Sequence, residues 1–186
     1  MGGNRKKRRT YPDVPERLAS TIVDNHTHLP VRGDRDYAAL SFDVASGVEE
    51  GADEDRQGSI PWHVARMEAA GVRCAITCGC DVPTLQPTVA LAERWPSLSA
   101  AIGIHPNEAP LHRGITEESP DGMAHGLDPW HRDLSLEDAV AEVAALAVSP
   151  DVVAIGETGL DFYRTAAAGR QAMMCALASM LMLLLS

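Results

Sequence analysis

The sequence has few aromatic side chains and lacks the paired cysteines of zinc modules. Only 4% of its 186 residues are aromatic while 45% are apolar, so the core must be mostly aliphatic. Three of its four cysteines, Cys74, Cys78 and Cys80, lie in one strand-like run without Cys-x-x-Cys spacing. Buried, reduced thiols explain this run better than metal binding does, which favours a reducing compartment and a cytoplasmic location.

Basic charge is scarce beyond the first ten residues. Those ten hold five basic side chains and no acidic one, so the remaining chain carries 11 basic against 26 acidic side chains. An acidic body of this kind excludes a broad non-specific nucleic-acid surface but leaves room for a small, metal-bridged phosphate site. No apolar segment follows the basic residues, which disfavours a secretory signal. We expect residues 1–19 to be a flexible basic arm and residues 20–186 to be the folded part.

No glycine-rich phosphate loop follows the first predicted strand, which disfavours a dinucleotide-binding domain. Apolar runs and helix-capping residues instead predict four alternating strands and helices. The strands are expected at 21–25, 72–79, 98–104 and 152–155, and the helices at 60–70, 83–94, 135–147 and 171–185. Residues 31–59 and 107–133 are expected to be long loops. This order predicts an α/β fold with a parallel sheet.

The stretch from Val152 to Arg164 is the most informative part of the chain. Its short apolar run does not alternate, which is typical of a strand buried on both faces. Glu157 follows this run directly, and carboxylates at the carboxyl ends of parallel strands are often catalytic. A local structural role for Glu157 is the alternative, and this stretch alone does not decide between the two.

Histidines stand at two other strand ends. His26 and His28 are spaced by two residues, which places both rings on one face of a strand, and Asp24 is expected on that face as a partner for a ring. His105 closes the third strand. Carboxyl ends of parallel strands meet at one mouth, so these histidines and Glu157 are expected to converge there as a metal site. The other histidines are expected at the surface: His63, His112, His125 and His131.

Three motifs resemble those of the TatD family of metal-dependent deoxyribonucleases. They are the segments 24–29 (Asp-Asn-His-Thr-His-Leu), 103–106 (Gly-Ile-His-Pro) and 156–164 (Gly-Glu-Thr-Gly-Leu-Asp-Phe-Tyr-Arg). Their order and spacing agree with that family from about residue 20 to residue 171. The third motif is the most specific, whereas the first is shared by the wider class of amidohydrolase-like barrels.

This resemblance implies a TIM barrel that hydrolyses DNA phosphodiester bonds, typically from 3′ or single-stranded ends, with two divalent ions such as zinc, magnesium or manganese. His26 and His28 would hold one ion, and Glu157 would bridge both. His105 would line the mouth beside the substrate, with Glu157 and His105 as the catalytic pair. Arg164 would be a candidate phosphate contact. Asp161 would shape the loop over the site as a supporting residue.

The resemblance covers only about the first four βα units of the barrel. The family carries further histidine ligands and a late aspartate, whereas no histidine follows His131 in this sequence. We therefore expect a C-terminally truncated barrel with an incomplete second metal shell and little turnover. The alternatives are an inactive half barrel that acts at most through self-association, and another amidohydrolase-like enzyme that acts on an amide or lactone.

The last residues are unusually apolar. Residues 171–186 carry no charge, and the stretch 172–185 is apolar except for Ser179. This stretch is too short for an ordinary membrane-spanning helix, so no membrane partner is expected. An apolar helix beside an open sheet edge favours self-association.

Overall fold

The computed structural model describes residues 12–31 and 59–185, which fold around a four-stranded parallel sheet. The strands are β1 (Ile22–Thr27), β2 (Val72–Gly79), β3 (Leu98–Ile102) and β4 (Val152–Ile155). Their order in the sheet is the order in the chain, and every neighbouring pair is parallel. The predicted strands and the parallel sheet are therefore confirmed.

Helices alternate with the strands, and four of them begin within one residue of their predicted starts. They are α1 (Ile60–Ala70), α2 (Val82–Arg94), α3 (Pro129–Asp133), α4 (Leu136–Leu146) and α5 (Arg170–Leu183). Asp81 and Ser135 form capping boxes at the starts of α2 and α4. Gly71 ends α1 with φ of 91°, a left-handed conformation that favours glycine. The short α3 was not predicted, because five helical residues show no periodicity.

The main core lies between the sheet and the helices α2, α4 and α5. Aliphatic side chains dominate it, among them Leu85, Ile102, Leu136, Val143 and Met180. A smaller cluster packs α1 against β2, with Val64 and Ala75 at its centre. Both clusters lie on the helical side of the sheet, so the strand ends remain available for a site.

The expectation that β4 is buried on both faces is wrong. Val153 is 54% exposed, because β4 is the edge strand of the sheet in the described part of the chain. The expected acidic loop at 31–59 lies largely outside the described residues. Within the expected arm, Leu18 donates its backbone N–H to the Ala70 carbonyl, so the described part of the arm contacts α1.

Helix α5 is apolar on both its buried and its exposed sides. Met173, Ala176 and Met180 are buried, whereas Met182 is 65% exposed and Leu185, just beyond the helix, is 81% exposed. Among the described residues, no helix is both long and apolar enough to cross a membrane.

Candidate metal centre

Three strands of the sheet deliver side chains to one mouth. His26 is the last but one residue of β1, and His28 directly follows the strand. His105 and Glu157 follow β3 and β4. Because the strands are parallel, their carboxyl ends lie at the same edge of the sheet. The sequence-predicted convergence of these four side chains is what the structure shows.

Glu157 is the centre of this group. Its Oε1 lies 2.6 Å from His26 Nε2 and 3.0 Å from His28 Nε2, and its Oε2 lies 3.2 Å from His105 Nε2. The rings of His26 and His28 meet edge to face, 5.1 Å apart. Two imidazole nitrogens and one carboxylate oxygen this close together form a donor set that suits a zinc-like divalent ion.

Asp24 does not share the face of the two histidines. In the ladder Asp24 pairs with Ala75 and Thr27 pairs with Thr77, so β1 uses three residues where β2 uses two. This bulge interrupts the alternation and turns Asp24 towards the side of α1. Its Oδ1 accepts the backbone N–H of His26 rather than contacting a ring. The expectation that Asp24 orients a ring from the same face is therefore wrong.

His105 presents an N–H group rather than a lone pair to the mouth. Its Nδ1 accepts the backbone N–H of Asn107 at 3.2 Å, so the proton of the neutral ring lies on Nε2. Nε2 then donates to Glu157 Oε2. This tautomer suits a hydrogen-bond donor to substrate better than a metal ligand.

Gly103 permits the close approach of the third and fourth strand ends. A Cβ placed on Gly103 would lie 3.0 Å from the Glu157 carbonyl oxygen and 3.0 Å from the Gly156 carbonyl carbon. Both neighbours are backbone atoms, which cannot rotate away. Glycine at this position therefore helps to set where Glu157 stands.

Two thiols lie behind His26 and His28. Cys78 Sγ is 3.8 Å from His26 Nδ1, and Cys80 Sγ is 3.9 Å from His28 Nδ1. Burial and the Glu157 carboxylate raise the pKa of the Cys80 thiol to about 12, and the same two causes raise that of Cys78. All four cysteines are free; Cys78 is buried and the other three are half-buried. At neutral pH these two thiols stay protonated and unreactive.

The loop after Glu157 is organised by Asp161. Its Oδ1 accepts the backbone N–H groups of Tyr163 and Arg164 at 3.1 and 2.9 Å, which closes a tight turn. The side chain of Arg164 is exposed and lines a small cleft with Asn107 and His125. The structure thus gives Asp161 a local, loop-shaping contact and leaves Arg164 accessible.

A second histidine cluster was missed by the sequence reasoning. His112 and His131 are each 5% exposed and contact Asp81, so the expectation that both lie at the surface is wrong. Asp81, His112 and His131 are also close enough together to resemble a metal site. Their separation along the chain gave no signal, because the loop at 107–133 had no periodicity that could place them.

Comparison with known proteins agrees with this geometry. The family model described as "TatD related DNase" matches residues 23–183. The 3'-5' ssDNA/RNA exonuclease TatD of Salmonella typhimurium is 36% identical over 101 residues, which are 54% of this chain and 30% of that protein. The uncharacterized metal-dependent hydrolase TatD of Mycobacterium tuberculosis is 30% identical over 142 residues, 76% of this chain and 38% of that protein. The chain thus spans well under half the length of these relatives.

The fold has a counterpart among solved structures. A hydrolase TatD family protein from Entamoeba histolytica matches 89% of this chain and 46% of its own, with a TM-score of 0.55 and 17% sequence identity. This match supports the TIM-barrel-type fold that the βα order and the motifs predict.

Proposed function

We propose, because this chain belongs to the family of TatD related DNases, that its strand-end site binds divalent metal and serves the hydrolysis of nucleic-acid phosphodiester bonds. The observation that carries this proposal is the convergence of three histidine Nε2 atoms on the two oxygens of Glu157. A hydrogen-bonded structural cluster would not need this side-by-side arrangement at the mouth of a parallel sheet.

His26, His28 and Glu157 would hold one ion. Their Nε2 and Oε1 atoms face one point, and the donor types suit zinc or manganese. Glu157 Oε2 faces the opposite side and accepts the N–H of His105. Once that N–H turned to a substrate oxygen, Oε2 would be free to bridge to a second ion. When bound, divalent ions in such sites activate water and neutralise the charge that develops on phosphate oxygens.

The other residues of the mouth would handle the substrate. His105 directs its Nε2–H into the site, where it would donate to a phosphate oxygen. Arg164 is exposed on the adjoining loop and offers a guanidinium group, which suits a second phosphate. Asp161 would support this by fixing the turn that carries Arg164.

Nucleic acid with single-stranded ends is the substrate class that we propose. Relatives that share 30–36% identity with parts of this chain are named 3'-5' ssDNA/RNA exonucleases. The acidic composition fits an exonuclease that binds a few phosphates through metal ions and a small number of hydrogen-bond donors. It does not fit an enzyme that binds long duplexes.

Metal binding is the first test, since it does not depend on turnover. Isothermal titration with zinc or manganese should give a site on the wild-type chain that is lost in the His26→Ala, His28→Ala double variant. His125→Ala is the matched control, because His125 is an exposed histidine that belongs to neither cluster of candidate ligands. Equal isotherms for the wild type and the double variant would overturn the metal centre.

Nuclease activity is the second test. We expect slow, metal-dependent shortening of 5′-labelled single-stranded DNA, because the described residues supply ligands for only one ion. The rate should fall to background in Glu157→Gln. A rate unchanged in this variant, or no shortening by a chain that binds metal, would overturn the nuclease assignment for this chain.

A further inference from the structure

The second cluster joins four separate segments of the chain. We name it the Asp81 cluster; its members are Asp81, Glu108, His112, Trp130 and His131. They come from the start of α2, the turn after β3, a short 3-10 turn and the helix α3. Asp81, His112 and His131 are 5–7% exposed, so this polar group is buried and needs its internal hydrogen bonds.

Asp81 accepts hydrogen bonds on both of its carboxylate oxygens. Oδ1 lies 2.8 Å from the Val82 backbone nitrogen and 2.9 Å from His112 Nε2. Oδ2 lies 2.6 Å from Trp130 Nε1 and 3.0 Å from His131 Nε2. Four N–H donors around one carboxylate satisfy its acceptor capacity and favour its ionised form.

The remaining contacts assign the protons on the two rings. His112 Nδ1 donates to the Leu134 carbonyl at 3.0 Å, and its Nε2 faces the ionised Asp81, so a proton on each nitrogen satisfies both contacts. His131 Nδ1 accepts the Asp128 backbone N–H at 3.1 Å, so its own N–H lies on Nε2, between Asp81 and Glu108.

His131 is subject to opposing influences on its charge. Burial lowers its pKa, while the hydrogen bonds to Asp81 and Glu108 raise it, to about 9 on balance. His131 Nδ1 accepts the Asp128 N–H, so the ring proton that faces Asp81 and Glu108 lies on Nε2.

These protons argue against a metal ion in the Asp81 cluster. The lone pair of His131 Nδ1 is already used by the Asp128 N–H. The Trp130 indole N–H lies 3.1 Å from His131 Nε2 and shares Asp81 Oδ2 with it, so a cation placed there would face a hydrogen-bond donor. N–H hydrogen bonds therefore hold the cluster together, and they leave no free ligand atoms for a metal ion.

The cluster lies directly behind His105. The residue before Asp81, Cys80, accepts the His105 backbone N–H on its carbonyl at 2.8 Å. Glu108 donates its backbone N–H to the His105 carbonyl at 2.9 Å, and its side-chain Oε2 contacts His131. The His105 carbonyl also accepts the Ala109 N–H at 3.2 Å, so all three of these backbone hydrogen bonds of His105 end at residues that belong to the cluster or adjoin it.

We propose that the Asp81 cluster positions His105: by joining Glu108 to His131 and Asp81, it fixes the turn that aims His105 Nε2–H at Glu157. Glu108, His112 and His131 are positioning residues in this scheme and do not contact the substrate. The loop at 107–133 thereby contributes to the mouth although it supplies no metal ligand.

Histidine-ring NMR on the chelator-treated full chain tests this directly. The wild type should show His112 with both ring nitrogens protonated and His131 and His105 as Nε2–H tautomers. Glu108→Ala should move the His105 ring resonances, which are assigned by their absence in His105→Ala. Glu108→Gln keeps an acceptor oxygen and should restore most of the wild-type signal. Glu137→Ala is the control, since Glu137 is an exposed glutamate with one ion pair, to Arg113.

The kinetic part of the test rests on the proposed nuclease function. Glu108→Ala should lower kcat by on the order of tenfold or more with unchanged metal affinity, because misplaced reacting groups slow chemistry without removing ligands. If the chain has no nuclease activity, the NMR comparison still decides. Unmoved His105 resonances in a folded Glu108→Ala chain would overturn the proposal. A stoichiometric ion that persists in the His26→Ala, His28→Ala variant and disappears with His112→Asn would do so too.

Discussion

His105 and Glu157 meet across 3.2 Å, between the histidine Nε2 and the carboxylate oxygen that faces away from His26 and His28. Each oxygen of Glu157 therefore serves a different partner. One side of the carboxylate is placed for a metal and the other receives a hydrogen-bond donor, which assigns different roles to histidines that look alike in the sequence.

His105 should therefore matter for turnover but not for metal affinity. We expect His105→Ala to lower kcat/KM by about 100-fold, as for the loss of one preorganised donor. The metal dissociation constant should change little, because Nε2 of this ring carries a proton. Paired nuclease assays and metal titrations check this. A loss of metal affinity as large as that of His26→Ala would instead make His105 a ligand.

Gly103 should be intolerant of a side chain. Gly103→Ala places a Cβ 3.0 Å from two backbone atoms of residues 156 and 157, so the fourth strand end must move. We expect a loss of about 1–3 kcal/mol in the free energy of unfolding and weaker metal binding. Urea unfolding and metal titration measure these effects.

Gly126 provides the matched control for this substitution. A Cβ on Gly126 meets nothing within 4 Å, and its φ does not lie in the left-handed region. Gly126→Ala should therefore be close to neutral. Equal behaviour of the two variants would contradict the close approach at Gly103.

Asp81 should make the free energy of unfolding depend on pH in the acidic range. Burial raises its pKa, but hydrogen bonds to His112 and His131 lower it more, so the folded value lies below the 3.8 of an unperturbed aspartate. The folded state then binds fewer protons than the unfolded state. The stabilisation is present above pH of about 4 and is lost as the pH falls towards the folded pKa.

Asp81→Asn should show this pattern in urea unfolding. At pH 7 we expect a loss of about 3–5 kcal/mol, because a buried charge loses its partner. The difference from wild type should shrink as the pH falls below 4. The exposed Asp133→Asn serves as control. A difference that stays constant with pH would mean that Asp81 is uncharged in the folded protein.

The exposed apolar surface at the end of the chain should promote self-association. Leu181, Met182 and Leu185 are 50%, 65% and 81% exposed, and α5 has no charge after Arg170. Replacing these three by glutamate should lower the apparent mass in light scattering at several concentrations. Val148→Glu is the control, since Val148 is 84% exposed but is not part of α5. A wild-type chain that stays monomeric throughout would contradict this prediction.

The sequence by itself determined the strand order, the starts of four of the five helices to within one residue, and the four side chains of the mouth. Hydrophobic periodicity and capping residues act over a few neighbouring residues, so they can be recognised in the sequence. The carboxyl ends of parallel strands lie at one edge of the sheet, so His26, His28, His105 and Glu157 could be placed together without coordinates. The motif at 156–164 further identified the family, because it is specific.

Only the tertiary structure decided which face Asp24 takes, because a single bulged residue in β1 reverses the alternation and leaves no mark in the sequence. The tertiary structure also decided that His112 and His131 are buried. Their burial depends on contacts with Asp81, 31 and 50 residues away, through a loop with no repeating pattern. Contacts of this kind follow from packing between distant segments, which local propensities do not encode.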